Sequence, residues 1–152
     1  MGGRGGSSGM NNSTSSGIQR AYGVDSSKYS GYAKTLAREA DEAIRNDDED
    51  RWLVYTNTTS RGESFVQYSL EDNYIAALGS TKQGSGATNL LASALEDIQR
   101  HGDDKAPVEW LVYSDDAIKY YNRIGLSKYR TGDTYRIPRS DLTSVISSLR
   151  GR

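Results

Sequence analysis

The chain has 152 residues, the size of one ordinary domain. Its hydrophobic content of 35% is below the usual range, so part of the chain is expected not to fold. A net charge of -1 argues against general nucleic-acid binding, although a local basic patch stays open. The chain has no cysteine, which excludes disulfides, thiolate zinc sites and cysteine nucleophiles.

The apolar runs fall well short of the ~20 residues that span a bilayer. The N-terminus also lacks the apolar core of a secretory signal. We therefore expect a soluble cytoplasmic protein that does not contact a membrane. The single histidine, His101, precedes Gly102 and is expected to be solvated at a helix end. Without a second histidine we expect no His-based metal site, although carboxylates could still hold Mg²⁺.

Residues 1–17 predict a flexible Gly/Ser-rich tail, leaving 18–152 as a single domain. All but three of these 17 residues are Gly, Ser, Asn or Thr, which cannot bury enough surface to offset ordering. A phosphate-binding glycine loop is disfavoured here because no strand precedes the segment. An expression scar is a second alternative. Such Gly-Gly-Arg-Gly-Ser tracts resemble bacteriophage head-associated proteins, which would place the protein in a host cytoplasm.

The first half of the chain predicts one strand, one helix and a three-stranded meander. The first strand is expected at 18–22, and an N-cap at Asp25, Ser26 or Ser27 begins a helix that ends at Asn46. The acidic run at 47–50 predicts a solvated turn, with Mg²⁺ or a basic partner as the alternative. Short turns predict antiparallel pairing for the three strands, which are expected at 52–56, 64–68 and 74–78.

The second half predicts a helix, a parallel strand, a short helix, a hairpin and a terminal helix. Apolar residues at helical spacing place the first of these helices between Ala87 and a stop near Gly102. The strand at 108–113 follows a crossover helix, so it is expected to run parallel to 74–78. Further elements are expected at 115–124, 126–130, 134–137 and 141–149. The fold class is therefore α/β (α+β), with a mixed, mostly antiparallel central sheet flanked by helices.

The stretch from Ser80 to Thr88 predicts an anion site. A strand ends in a turn-rich loop that holds Gly84 and Gly86, and the loop leads directly into a helix. The free amides and the positive end of a helix N-terminus point the same way and attract anions. Glycine lets the backbone approach a ligand without an intervening Cβ. We expect this loop to hold the pyrophosphate of a coenzyme.

Two segments resemble signatures of the GNAT family of N-acetyltransferases. The run Gln83-Gly84-Ser85-Gly86-Ala87-Thr88 resembles the family's acyl-coenzyme A signature. The run SDDAIKYYNRIGL at 114–126 resembles its second signature, with an alanine and an aromatic-tyrosine pair. The resemblance covers about residues 50–137, and 18–45 fit the family more loosely. Two positions differ from the family: Thr88 stands where Gly or Ala is preferred, and Ser114 where Asn is frequent.

The resemblance implies acetyl-CoA as co-substrate and a direct transfer to an amine. The amides of 84–88 would bind the pyrophosphate, and the backbone of 78–80 would pair with the pantetheine arm. An amide near Leu78 would polarise the thioester carbonyl, and Tyr121 would protonate the departing thiolate as general acid. The implied coenzyme-binding residues are Leu78, Gly79, Ser80, Gln83, Gly84, Ser85, Gly86, Ala87, Thr88 and Ser114.

Tyr121 has a second interpretation, as a buried packing tyrosine. The catalytic interpretation is preferred because position and context coincide, whereas Tyr120 is expected to be a packing or surface residue. The general base is not identified. Glu71, Asp72 and Glu109 lie near the strands that flank the site, each more typical of a solvated or structural carboxylate, and a bound water is an alternative.

Two groups of basic residues are candidates for ligand contacts, with ordinary solvation as the alternative. Lys82, Lys119 and Arg123 could meet coenzyme phosphates. Positive charge also concentrates near the last hairpin, which suggests an acidic or phosphate-bearing acceptor as a hypothesis. The residues concerned are Lys128, Arg130, Arg136 and Arg139.

The sequence thus favours an N-acetyltransferase that acts on a primary amine of a small molecule or protein. The sequence leaves open whether the chain forms a homodimer. Two alternatives keep the fold and change the function. One is a catalytically degenerate interaction or virion-associated protein, motivated by Thr88, the tail and the missing base. The other is a toxin that acetylates aminoacyl-tRNA, against which the net charge of -1 argues.

Overall fold

A computed structural model describes residues 17–46 and 51–152. The tail expected at 1–17, apart from Gly17, and the acidic turn expected at 47–50 lie outside the described residues. The elements follow in the order β1 (Ile18–Ala21), α1 (Gly31–Asn46), β2 (Leu53–Thr59), β3 (Gly62–Ser69), β4 (Tyr74–Ser80), α2 (Ala87–His101), β5 (Val108–Leu111), α3 (Asp115–Arg123), β6 (Arg130–Thr131), β7 (Thr134–Ile137) and α4 (Leu142–Arg150).

The strands form one seven-stranded sheet in the order β1-β2-β3-β4-β5-β7-β6. The first four strands form an antiparallel meander. In the other part of the sheet, β7 is antiparallel to both of its neighbours, β5 and β6. The crossover through α2 makes β4 and β5 parallel. The predicted fold class, a mixed and mostly antiparallel sheet flanked by helices, is confirmed.

β4 and β5 begin together and then separate. Among the described residues the two strands are paired at one position, Tyr74 with Glu109, next to a hydrogen bond from the Glu109 amide to the Asn73 carbonyl at 3.0 Å. Beyond that point β5 stays bonded to its other neighbour, and the Val112 amide donates to the Asp133 carbonyl at 2.8 Å. A gap therefore opens in the sheet between the two strands.

A β-bulge changes the direction of β4 at the start of this gap. The register with β3 steps from Gln67–Ala77 to Tyr68–Ile75, so Ala76 has no partner on β3. An extra residue shifts the alternation of side chains by one position. Ile75 therefore packs into one core and Ala77 into the other, although residues two apart in a regular strand share a face.

The helices cover both faces of the sheet and give two cores. One core joins α2, α3 and α4 to the sheet, and the other places α1 against the opposite face. The terminal helix α4, whose docking surface the sequence does not reveal, packs through Leu142, Val145, Ile146 and Leu149 into the α2 core. No helix in the described ranges is long and apolar enough to cross a membrane.

Three local predictions need correction. Asp25 caps a single 3₁₀ turn at Ser26–Lys28, and α1 begins later, at Gly31. The strand expected at 108–113 ends at Leu111, because the chain then turns into the cap of α3. The strand expected at 126–130 contains a 3₁₀ turn at Ser127–Tyr129, so β6 has only two residues.

Asn73 joins the beginnings of β4 and β5. Its side chain accepts from the Asp103 amide at 2.8 Å and donates to the carbonyls of Asp103 (2.8 Å) and Ala106 (2.9 Å). The residue is fully buried, with φ of 50°. Left-handed backbone is tolerated by Asn better than by most other non-glycine residues, since its side chain bonds to nearby backbone.

We predict that Asn73→Ala lowers the free energy of unfolding by about 2–4 kcal/mol, since it removes three hydrogen bonds and leaves buried groups unpaired. Urea unfolding followed by circular dichroism measures the change. The matched control is Asn46→Ala at the exposed end of α1, where a change within about 0.5 kcal/mol is expected. Equal midpoints for the two variants would contradict this role for Asn73.

Candidate functional site

The glycine loop between β4 and α2 has the conformation that its two glycines allow. Gly84 and Gly86 have φ of 83° and 91°, in the left-handed region that favours glycine. A Cβ on Gly86 would stand 2.5 Å from the side-chain nitrogen of Asn57. No side chain caps α2, which follows directly. The first-turn amides of a 15-residue helix are therefore not covered by a cap, as an anion site requires.

The β2–β3 hairpin supports the loop through hydrogen bonds. Ser85 is buried and its hydroxyl donates to the Lys82 carbonyl at 2.5 Å. The Ser85 carbonyl accepts from Ser64 at 3.3 Å, and the Gly86 carbonyl accepts from Asn57 at 3.1 Å. The Ser85 side chain is thus turned into the protein, so the loop can offer a ligand its backbone but not this hydroxyl.

Cationic side chains from three segments surround the N-terminus of α2. The Arg61 guanidinium, from the β2–β3 turn, lies 3.1 Å from the position of a Cβ on Gly84. Lys82 is exposed in the loop itself. Arg123 of α3 lies over the Tyr120 ring at 5.6 Å, and that tyrosine contacts the first turn of α2. Arg61 was not among the sequence candidates, because the register that brings the hairpin turn under the loop cannot be deduced from the sequence.

Thr88 connects α2 to α3. Its hydroxyl and that of Tyr120 are hydrogen-bonded at 2.7 Å, across 32 residues of sequence. Burial raises the pKa of Tyr120, while the bond to Thr88 and the charge of Arg123 oppose the rise. Tyr120, expected as a packing or surface residue, is half-buried and bonded. A Gly or Ala at position 88 could not make this bond.

A small cleft of about 40 Å³ lies in the gap between β4 and β5. The lining comes from α1, from both parted strands and from α3: Tyr32, Leu36, Ile75, Ala76, Ala77, Leu78, Trp110, Leu111, Val112, Tyr113, Ala117 and Tyr121. Leu78 and Tyr121 are the two sequence-predicted site residues that lie in it.

The residues that line the cleft come from both faces of the sheet. Trp110, Val112 and Tyr121 belong to the core on the α2 and α3 side. Leu111 and Tyr113 alternate with Trp110 and Val112 along the chain, so they point to the α1 side, where the cleft is lined by Tyr32 and Leu36. We call the part of the cleft that is lined by Ala117 and Tyr121 the α3 mouth, and the part that is lined by Tyr32, Leu111 and Tyr113 the α1 mouth.

Two residues that line this cleft have a donor without a protein partner. Trp110 is 1% exposed, and its indole N–H has no hydrogen-bond partner. The Tyr121 ring is 5.4 Å from the Trp110 ring, and its hydroxyl makes no hydrogen bond to another described residue. Burial, then the neighbouring Tyr120 and Tyr135, raise the pKa of Tyr121 far above its usual value. The hydroxyl therefore stays protonated and can donate.

The remaining predicted coenzyme residues lie along the path from the cleft to the loop. Gly79 and Ser80 continue β4 beyond Leu78 and pair with β3 on one side. Gln83 is exposed at the top of the loop. Ser114 caps α3, its hydroxyl accepting from the Ala117 amide at 3.5 Å, as expected of a serine at this position. Ala87 is the first residue of α2.

The candidate bases are positioned as structural or solvated carboxylates. Asp72 pairs with Arg51 at 2.6 Å, and Glu109 pairs with Arg136 at 2.8 Å. Glu71 is exposed in the turn before β4. None of the described residues that line the cleft is an acid or a histidine, so the general base is not found here.

His101 and the basic hairpin residues have structural roles. His101 is bonded at 2.9 Å to Asp97, a buried carboxylate that also accepts from the Tyr68 hydroxyl. Arg139 donates to the carbonyls of Gln99 and Asp103 and so fastens the end of α2. Arg136 is paired with Glu109 at 2.8 Å. Lys128 lies over the Tyr129 ring, while Arg130 is exposed.

No group of acidic or histidine side chains in the described ranges could hold a metal ion. No protein-family model, curated protein or solved structure matches the chain. The coenzyme interpretation therefore depends on the geometry of the loop and cleft together with the resemblance of the two motifs.

We predict that Thr88→Val lowers the free energy of unfolding by about 1 kcal/mol, because the Tyr120 hydroxyl loses its partner. The same change should raise the pKa of Tyr120 further, since the lost bond opposes that rise. Urea unfolding and NMR titration of ¹³C-labelled tyrosine measure the two effects. Thr88→Ser keeps the hydroxyl and is the control. A Thr88→Val variant as stable as wild type would show that the bond contributes nothing.

Proposed function

We propose that the protein is an acetyl-CoA-dependent N-acetyltransferase that transfers an acetyl group to a primary amine. One observation carries the proposal: a cleft between two parted parallel strands, near an uncapped helix N-terminus, is lined by Trp110 and Tyr121, whose N–H and O–H groups have no partner among the described residues. A thioester ligand has acceptor atoms for these donors and phosphates for the helix end. The resemblance of 83–88 and 114–126 to the GNAT signatures agrees with a phosphate site at the helix end and with a thioester site in the cleft.

The coenzyme would enter through the α3 mouth. Its pyrophosphate would bind the amides of 84–88, with Arg61, Lys82 and Arg123 close enough to add charge. Its pantetheine arm would pair with the side of β4 that β5 leaves, along 78–80. The backbone between Ala76 and Leu78, where the bulge breaks regular pairing, would supply the amide that polarises the thioester carbonyl.

The transfer would then proceed by direct attack. The lone pair of a neutral amine forms the C–N bond, and the carbonyl electrons move to oxygen. These electrons re-form the carbonyl double bond as the C–S bond breaks, and the departing sulfur takes the proton of Tyr121. The new ammonium loses a proton to water, and Tyr121 recovers one. Because the pKa of Tyr121 is raised, its deprotonated form is a stronger base than a free thiolate, and the thiol has a pKa of about 8.5.

That pKa difference defines how Tyr121 acts. Full transfer from so weak an acid to a solvated thiolate is uphill, so its first contribution is a hydrogen bond to the developing negative charge. Removal of the sulfur from water in the cleft would also disfavour its charged form and so raise the pKa of the thiol. The difference between the pKa values of the thiol and of Tyr121 would then be smaller.

A second candidate function keeps coenzyme binding and drops turnover. It is favoured by the absence of an acid or histidine among the described residues that line the cleft. Such a protein would bind acetyl-CoA, or a partner, without transferring the acetyl group. Direct measurement of coenzyme A release in the presence of amines separates the two functions.

For binding, we predict heat on titration with acetyl-CoA and about tenfold weaker affinity in Arg61→Ala, because a charged hydrogen bond to phosphate is lost. Acetyl-pantetheine, which lacks the diphosphate, should bind both proteins equally. Arg38→Ala, an exposed arginine of α1, is the matched control. The absence of heat at millimolar acetyl-CoA would overturn the proposed function.

For catalysis, we predict that Tyr121→Phe lowers kcat by about 10²-fold or more while leaving the KM for acetyl-CoA unchanged, because only the donor is removed. The control is Tyr135→Phe, a buried tyrosine of the same ring cluster that bonds to Asn122 and does not line the cleft. Similar kcat values for these two variants would leave Tyr121 as a packing residue.

A further inference from the structure

The α1 mouth of the cleft has the largest exposed concentration of apolar side chains in the described chain. Among the described residues, four large hydrophobic side chains are exposed. Three of them border this mouth: Tyr32 (42%), Leu111 (42%) and Tyr113 (69%). The fourth, Tyr22, follows β1 at the far end of the sheet. Exposed apolar residues that cluster around a cleft mark a binding surface more often than scattered ones do.

Two tyrosines line this mouth, Tyr32 of α1 and Tyr113 of the segment after β5. The pKa of Tyr32 is raised by burial, then by the charge of Glu39 and by Tyr113. The pKa of Tyr74, at the start of β4, is raised by burial, and Tyr113 adds to the rise. The mouth is therefore lined by aromatic residues from two separate segments.

A carboxylate stands on the same side of α1. Tyr32, Leu36 and Glu39 are spaced by four and three residues, which places them along one face of the helix. Glu39 is exposed and has no salt-bridge partner in the described chain. Burial raises the pKa of Tyr32, and the charge of Glu39 adds to the rise. The mouth therefore combines aromatic faces with an available negative charge.

We propose that the α1 mouth is the acceptor subsite and that it takes a primary amine carried on an aromatic or apolar body. The proposal rests on the proposed acetyltransferase function and adds the class of its acceptor. Tyrosine rings contact an apolar body and attract an ammonium group through their faces. Glu39 attracts the same cation and repels an acidic or phosphorylated amine.

The cleft gives such an acceptor a route to the thioester. Its lining includes the residues of the α1 mouth as well as Tyr121, so the two substrates would approach the reacting atoms from opposite faces of the sheet. The ammonium loses its proton to water at the mouth before the neutral amine attacks. The bonds then change as in the transfer above, with C–N formed and C–S broken. The acceptor leaves as an uncharged amide, which Glu39 and the rings no longer attract as a cation.

The test compares amines that share an aminoethyl group and differ in their bodies. Phenethylamine, ethanolamine and O-phosphoethanolamine are supplied with acetyl-CoA, and released coenzyme A is measured with a thiol reagent. The chain has no cysteine, so the protein adds no thiol background. We expect phenethylamine to have a kcat/KM at least tenfold above that of ethanolamine, with O-phosphoethanolamine the poorest.

The variants assign that preference to the mouth. Tyr113→Ala should raise the KM for phenethylamine about tenfold and leave the KM for acetyl-CoA unchanged. Tyr22→Ala removes an equally exposed tyrosine away from the cleft and should change neither constant. Glu39→Gln should narrow the preference for phenethylamine over O-phosphoethanolamine. Since Tyr113 and Glu39 are exposed, these variants are expected to fold.

The outcomes separate this proposal from the proposed function. Transfer that favours ethanolamine or O-phosphoethanolamine, or a Tyr113→Ala variant with an unchanged KM for phenethylamine, overturns the acceptor class and leaves the acetyltransferase intact. Acetyl-CoA binding without transfer to any of the three amines overturns the acceptor class and supports the non-enzymatic alternative. The absence of acetyl-CoA binding overturns both proposals.

Discussion

The separation of β4 from β5 is the constraint on which the candidate site depends. Asn73 fixes the point where the strands meet, through its side-chain bonds to residues 103 and 106 and its carbonyl bond to Glu109. Beyond that point the backbone of β5 is bonded to β7, and the bulge at Ala76 turns β4. The two strands therefore cannot close into a continuous ladder, and the backbone groups along the gap remain available to a ligand.

The same separation explains why unpartnered donors persist in a well-packed interior. A buried donor without a partner costs about 1–3 kcal/mol, so such groups are rare unless something else requires them. The Trp110 ring lies parallel to that of Tyr135 at 5.4 Å and at an angle to that of Tyr121, which fixes its indole in place. The packing of these rings therefore holds the indole in a place where its N–H has no hydrogen-bond partner among the described residues.

The sequence predicts the architecture better than it predicts the site. Apolar spacing and the turn residues identify the strands, the helices and the parallel crossover, because these patterns depend on neighbours within a few positions. The bulge at Ala76 has no such pattern, since it reflects how β4 must follow β3 on one side and leave β5 on the other. The 3₁₀ turn at Ser127–Tyr129 is similar, because the Tyr129 hydroxyl bonds to Asp141 far along the chain.

Among site residues, Tyr121 and Leu78 are reached through motif resemblance, whereas Trp110 looks like any core tryptophan of a strand. Its missing partner becomes visible only when every neighbour is placed. Tyr113 is expected inside a strand, yet the chain leaves the sheet after Leu111 and exposes that ring. The alternation of residues 110 to 113 does indicate two faces. What the sequence lacks is the gap that lets both faces border one cleft.

The charges at the N-terminus of α2 and on the α1 side of the cleft are of opposite sign, and this difference connects the two proposals. Arg61, Lys82 and Arg123 lie near the uncapped end of α2, while Glu39 faces the α1 mouth. An anionic carrier and a cationic acceptor would each be attracted to its own side of the sheet and repelled from the other. Because the ligands meet only inside the cleft, neither would block the entrance of its co-substrate. A sheet parted at one place would thus account for the separation of the two proposed substrates as well as for their contact.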